Sequence, residues 1–123
     1  MSGITREDLS PPIASGGRLP SDPKSRKDTP IFSGVLAYFP DAIAELARLS
    51  KAGNDQHNPG QPLHWAREKS TDQADCVVRH LLEHGSKDVD GISHTAKMAW
   101  RALAMLQLEI EKERGLPPSR GSK

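Results

Sequence analysis

The chain has 123 residues, with 17 Lys and Arg against 16 Asp and Glu and a net charge of +1. That balance excludes the broadly basic surface of a protein that coats nucleic acid, so no stable nucleic-acid binding is expected. Only 35% of the residues are hydrophobic, which suits one domain with a small core that burial in an oligomer would supplement. Cys76 is the single cysteine, so an internal disulfide and a Cys-based zinc site are excluded. A reducing cytoplasm is the expected setting. No apolar run reaches membrane-spanning length, and Ser, Gly, Pro and charges interrupt the N-terminus where a signal peptide needs an apolar stretch.

Residues 1–27 carry Pro11, Pro12, Gly16, Gly17, Pro20 and Pro23 among charges and show no apolar period. They read as a flexible arm, free or wrapped on a neighbouring subunit. The main domain is expected over 28–114. Residues 31–39 are apolar and aromatic, punctuated by Pro30, Gly34 and Pro40, and read as an extended segment or a tight turn. A first helix is predicted from Pro40 and Asp41, because proline and an acid favour a helix start. Ile43, Leu46, Ala47 and Leu49 follow its period, and Gly53-Asn54 is its expected stop. A loop over 54–69 should follow. It is rich in hydrogen-bonding side chains, contains Trp65, and is long for a mere connector, so it is expected to be functional.

Ser70 is the predicted N-cap of a second helix, with Gln73 at capping-box spacing. Ala74, Val77, Val78, Leu81 and Leu82 form its expected buried stripe, and Gly85 closes it. A third helix is predicted over about 91–114. Ala96, Ala99, Leu103, Leu106 and Ile110 alternate spacings of three and four, which is a packing seam. Met98, Ala102 and Met105 add a second apolar face, suited to a partner subunit. Gly115, Pro117 and Pro118 end the helix, and 115–123 is expected to be a mobile tail. The fold class is all-α, a helical bundle completed by oligomerisation.

Two acidic pairs each share a helix face: Asp41 and Glu45 at i, i+4, and Asp72 and Asp75 at i, i+3. If the two helices are antiparallel neighbours, the pairs face each other. Oxygen donors of this kind suit Mg²⁺ or Mn²⁺; the alternative is that they serve only the helix dipoles. His94, Lys97 and Arg101 share one face of the third helix, Arg79 lies four residues after Asp75, and Lys69 precedes the second helix. Cations beside metal-holding carboxylates suit phosphate-ester or anhydride chemistry; the alternatives are a solvated basic stripe and an Arg79–Asp75 pair. His57 and His64 fall in the loop. His80 and His84, at i, i+4, lack an evident third ligand for a transition metal, so His80 is expected to be packed or hydrogen-bonded. Cys76 reads as a small core or interface residue. There is no Walker-type loop and no His-Asp dipeptide.

Several segments carry a resemblance. Asp72-Gln73-Ala74-Asp75 resembles the second acidic motif, Glu-x-x-Asp, of the MazG-like all-α nucleoside triphosphate pyrophosphohydrolases. Tyr38-Phe39-Pro40-Asp41-Ala42, Gly53-Asn54-Asp55-Gln56-His57-Asn58-Pro59-Gly60, Leu63-His64-Trp65, Arg79-His80-Leu81 and the run from His94 to Leu103 resemble the phage dATP/dGTP diphosphohydrolase (MazZ-like) branch. The resemblance implies cleavage of a purine (d)NTP, with dGTP or GTP favoured and dATP possible, to monophosphate and pyrophosphate. It implies a role in phage 2-aminoadenine nucleotide metabolism, in the host cytoplasm. It also implies Mg²⁺ or Mn²⁺ on Glu45, Asp72, Asp75 and Asp41, with Glu45 and Asp75 as the catalytic pair. Lys97, Arg101, His94, Arg79 and Lys69 would then hold phosphates, and Asn58 and Trp65 would meet the base or sugar. Ala42 stands where the first motif, Glu-x-x-Glu, has its first acid, and Asp72 replaces the Glu of the second. The expected assembly is a homodimer or homotetramer. The alternative of another class is a non-catalytic helical protein-binding module of a phage.

Overall fold

The computed structural model describes residues 19–123. They fall into two compact units, one ending at Pro40 and one over Asp41–Lys123. The described residues are all-helical and contain no strand. The helices are α1 (Pro23–Lys27), α2 (Pro40–His57), α3 (Gln73–Leu82) and α4 (His94–Arg114), with a π-helical turn at Phe32–Leu36 and a 3₁₀ turn at Arg67–Lys69. None is long and apolar enough to cross a membrane.

Of the arm expected over 1–27, residues 1–18 lie outside the described part. Its end forms α1, capped by the Asp22 carboxylate, which accepts the Ser25 N–H at 2.9 Å. Pro23 fills the first turn, where a missing N–H breaks no helical bond. In the π turn, Gly34 lies against Pro30; a Cβ there would sit 3.3 Å from the proline ring.

In the second unit, α2 runs through the expected stop at Gly53-Asn54 to His57. A helical glycine costs only about 1 kcal/mol. Lys51 and Asp55 pair across that turn at 2.6 Å, and the Asn54 amide donates to the Gln61 carbonyl at 3.0 Å. The second predicted helix starts later than expected, with Asp72 rather than Ser70 in the N-cap position. Gln73 does not close a capping box; its amide donates instead to the Ser70 carbonyl at 3.2 Å. Ser93 is the N-cap of α4, and its hydroxyl accepts the Ala96 N–H at 3.2 Å. It ends at Gly115, where φ is +63°, a left-handed cap that glycine adopts without a Cβ penalty.

Among the described residues, helices α3 and α4 form the one broadly packed pair of elements, and their packing inverts the expected faces. The buried residues of α3 are Gln73, Cys76 and His80. Those of α4 are His94, Ala104 and Glu111. Val78, Leu81, Leu82, Leu103 and Leu106, expected inside, are exposed. At about 100° per residue, a seam through Arg101 and Ala104 lies on the opposite side of the helix from Leu103 and Leu106. The reason is hydrogen bonding. Gln73, His80 and His94 find partners on the facing helix or its flanks, and buried polar groups must be paired. Among the described residues no third helix packs broadly on the apolar stripes; α2 meets α4 through the bond from Trp100 Nε1 to Ser50 Oγ, 2.9 Å long.

The end of the chain, expected to be mobile, is hydrogen-bonded to the second half of the loop. Trp65 N donates to Gly121 O at 2.8 Å, Lys123 N to Trp65 O at 3.0 Å and Arg67 N to Lys123 O at 3.1 Å.

Candidate functional site

The start of α3 gathers the groups best suited to chemistry. Asp75 lies in its first turn, with Asp72 just before it, and both are exposed. The Asp72 carboxyl is held below its usual range, first by its own backbone N–H, then by Cys76 and Ser70, with Arg101 adding its charge. Arg101 reaches this turn from α4, its Nη1 donating to Gln73 Oε1 at 3.2 Å. No side-chain hydrogen bond or ion pair among the described residues engages the Asp75 carboxylate. Arg79, expected either to hold phosphate or to pair with Asp75, donates instead to Cys76 Sγ at 3.3 Å.

Asp41 sits in the first turn of α2, and Glu45 accepts Arg48 at 2.8 Å. The donor chemistry of Asp41, Glu45, Asp72 and Asp75 fits a hard divalent cation. Within one chain, however, these four acids do not converge. Among the described residues the one cluster of three ligand-bearing side chains is His80, Asp88 and His94.

The basic face at His94, Lys97 and Arg101 is real as a register but is not a solvated stripe. His94 is buried, and its Nδ1 lies 2.9 Å from Nδ1 of His80. Lys97 donates to Asp88 and Asp90, both at 2.8 Å. That bond pushes the Asp88 carboxyl down to about 2. Burial, followed by the charge of Arg79 and the neighbouring His94 and Lys97, lowers the pKa of His80 and favours a neutral ring. Of the three, Arg101 is the cation left nearest the acidic turn. His80, expected to be packed or hydrogen-bonded, is both, while His84 four residues on is exposed.

The loop residues are largely committed to structure. Asn58 is buried at the end of α2, its N–H donating to Asn54 O at 2.8 Å. Lys69 caps the same helix end by donating to His57 O at 2.9 Å. Trp65 meets Trp100 edge to face at 5.8 Å, and the Arg67 guanidinium lies 4.3 Å from the centre of its ring. Sequence reading missed Arg67 and Glu111, which join in a two-bond ion pair at 2.6 and 2.8 Å. It also missed Asp88. The available signal was register: Glu111 continues the 94, 97, 101, 104 spacing of the polar seam.

The fold and this turn define an all-α protein with an acidic, arginine-flanked helix start. Residues 21–115 match the family described as dATP/dGTP diphosphohydrolase, N-terminal, and the chain belongs to that family. No curated protein and no solved structure matches it.

Proposed function

We propose that this protein is a metal-dependent purine (d)NTP pyrophosphohydrolase of the MazG-like type, releasing monophosphate and pyrophosphate, with dGTP or GTP favoured. Family membership over residues 21–115 is the observation that carries the reading. The open Asp72–Asp75 turn beside Arg101 supports it. Glu45, Asp72, Asp75 and Asp41 would hold Mg²⁺ or Mn²⁺, which would neutralise triphosphate charge and acidify a bound water. Arg101 holds phosphate oxygens. Water attacks phosphorus at the α–β anhydride, the bond breaks to give monophosphate and pyrophosphate, and Asp75, through a carboxylate oxygen not engaged by metal, takes the proton of the attacking water.

Because the four acids do not meet within one chain, the site is assembled in a homo-oligomer. A second copy covers the apolar stripes of α3 and α4 and brings α2 acids to the α3 turn. The phage role, supplying monophosphate for 2-aminoadenine nucleotides in a host cytoplasm, belongs to the same proposal.

Incubating the protein with each dNTP and Mg²⁺ or Mn²⁺, then identifying products, tests it. Monophosphate plus pyrophosphate is expected from purine substrates, with at least about a hundredfold loss in Asp75→Asn at unchanged helical content. Diphosphate plus phosphate, or no product at all, overturns the reading; the latter outcome returns the protein to the class of non-catalytic binding modules.

A further inference from the structure

The polar seam between α3 and α4 contains a second constellation, separate from the carboxylates assigned above and independent of the hydrolase reading. We infer that His80, His94 and Asp88 form a binding site for a divalent transition metal of the zinc class.

A ring nitrogen of each histidine and a carboxylate oxygen of Asp88 lie within 4.8 Å of one another. Both histidines are buried, at 8% and 6% exposure, and their rings are tilted by 36° with the Nδ1 atoms 2.9 Å apart. Two imidazole nitrogens on one tetrahedral zinc stand about 3.4 Å apart. The rings therefore need to open by only about half an ångström, within a pair of helices that already brings them together. Two histidines and one carboxylate leave a fourth position for water, and imidazole donors select zinc-like ions over Mg²⁺.

The surroundings are those of a held ligand set. His94 Nε2 faces the Glu83 carboxylate at 3.4 Å. A proton on Nε2, on the side of Glu83, leaves the Nδ1 lone pair free for a metal, as the carboxylate–histidine arrangement of metal sites requires. Asp88 is fixed by Lys97 at 2.8 Å on Oδ2 and by the Val89 N–H at 2.7 Å on Oδ1. A carboxylate offers about four lone-pair sites, so a metal need displace neither. The backbone holds Asp88 in place as well: its N–H donates to Ile92 O at 2.9 Å, and His94 N donates to Ser86 O at 3.0 Å. Lys87 and Ser93 form an antiparallel bridge across the same loop. A bound ion would join α3, this loop and the start of α4 through one centre.

The test is zinc titration of the metal-stripped, full-length protein, followed by imidazole nitrogen NMR. One equivalent of Zn²⁺ is expected to bind and to shift the ring nitrogens of His80 and His94, leaving exposed His57 and His84 and half-exposed His64 unchanged. Absence of one-equivalent uptake, or shifts confined to His57, His64 or His84, overturns the proposal. This measurement needs no substitution, so it stands if a variant fails to fold. In addition, Asp88→Asn should weaken Zn²⁺ binding at least about tenfold; unchanged affinity in the folded variant removes Asp88, and with it the three-ligand site.

Discussion

Arg67 and Glu111 lie 44 residues apart in the chain, yet they form the most deeply buried ion pair among the described residues, with side chains 13% and 8% exposed. Gln107 and the Ser119 N–H also hydrogen-bond the Glu111 carboxylate, and Ser119 Oγ accepts from Arg67. This cluster ties the loop, the end of α4 and the chain end together. Arg67→Ala removes both charge-assisted hydrogen bonds to Glu111 and the bond to Ser119, and should cost on the order of 3 kcal/mol in urea unfolding. A loss below about 1 kcal/mol would place the pair among ordinary surface bridges. The pH dependence follows from the same contact. The Arg67 hydrogen bonds hold Glu111 down to about 2, against 4.5 for the free side chain. A folded-state pKa below the unfolded one gives stability that is complete above the unfolded value and fades as pH falls through the folded one. Stability should therefore drop between about pH 4.5 and 2, and Glu111→Gln should flatten that limb. An unaltered limb in the variant would assign the acid sensitivity to other carboxylates.

Helix α4 shows what periodicity does and does not reveal. The spacing Ala96, Ala99, Leu103, Leu106, Ile110 was legible as a helix with an apolar seam, and a helix forms there. The inward face was not legible, because a second face, through His94, Lys97, Arg101, Ala104 and Glu111, repeats with the same alternation. Spacing identifies faces; it does not say which neighbour each one meets. Here the polar face packs, since its groups satisfy one another across α3 and the adjoining loops. The exposed Leu81 and Leu103 then belong to the interface proposed for a second copy. Leu81→Asp or Leu103→Asp should leave helical content unchanged and weaken self-association by about 10- to 100-fold each, the effect of losing about 1.5–3 kcal/mol of apolar burial. Light scattering across a concentration series reads this directly. Loss of folding, with no change in association, would mean that those leucines pack within the chain.

The second unit, Asp41–Lys123, has a small core for its length. Its buried hydrophobic residues are Cys76 and Ala104, while Leu63, Val78, Leu81, Leu82, Leu103 and Leu106 remain exposed. Such a balance suits a bundle completed by another copy. If the hydrolase site takes Glu45 from one chain and Asp75 from another, two inactive variants should complement. In a mixed dimer of Glu45→Gln and Asp75→Asn, one site carries both substitutions and the other carries neither. Mixing the two proteins under exchange conditions should therefore restore turnover in proportion to the mixed dimers formed. No recovery despite demonstrated subunit exchange would place all the acids of a site on one chain.

The all-helical class, the start of α2 at Pro40, the end of α4 at Gly115 and the segments that resemble the diphosphohydrolases could all be read from the residues. Each is a local property: helix period, proline and glycine geometry, or a short run of side chains. The polar seam, the His80–His94 contact, the Asp88–Lys97 bond and the Arg67–Glu111 clasp could not be read that way. They depend on which helix faces approach and on groups 9 to 44 residues apart finding one another. Because these groups hydrogen-bond one another, burying them carries no unpaired-group penalty. That pairing permits the polar faces of α3 and α4 to turn inward while Leu81, Leu82, Leu103 and Leu106 stay exposed.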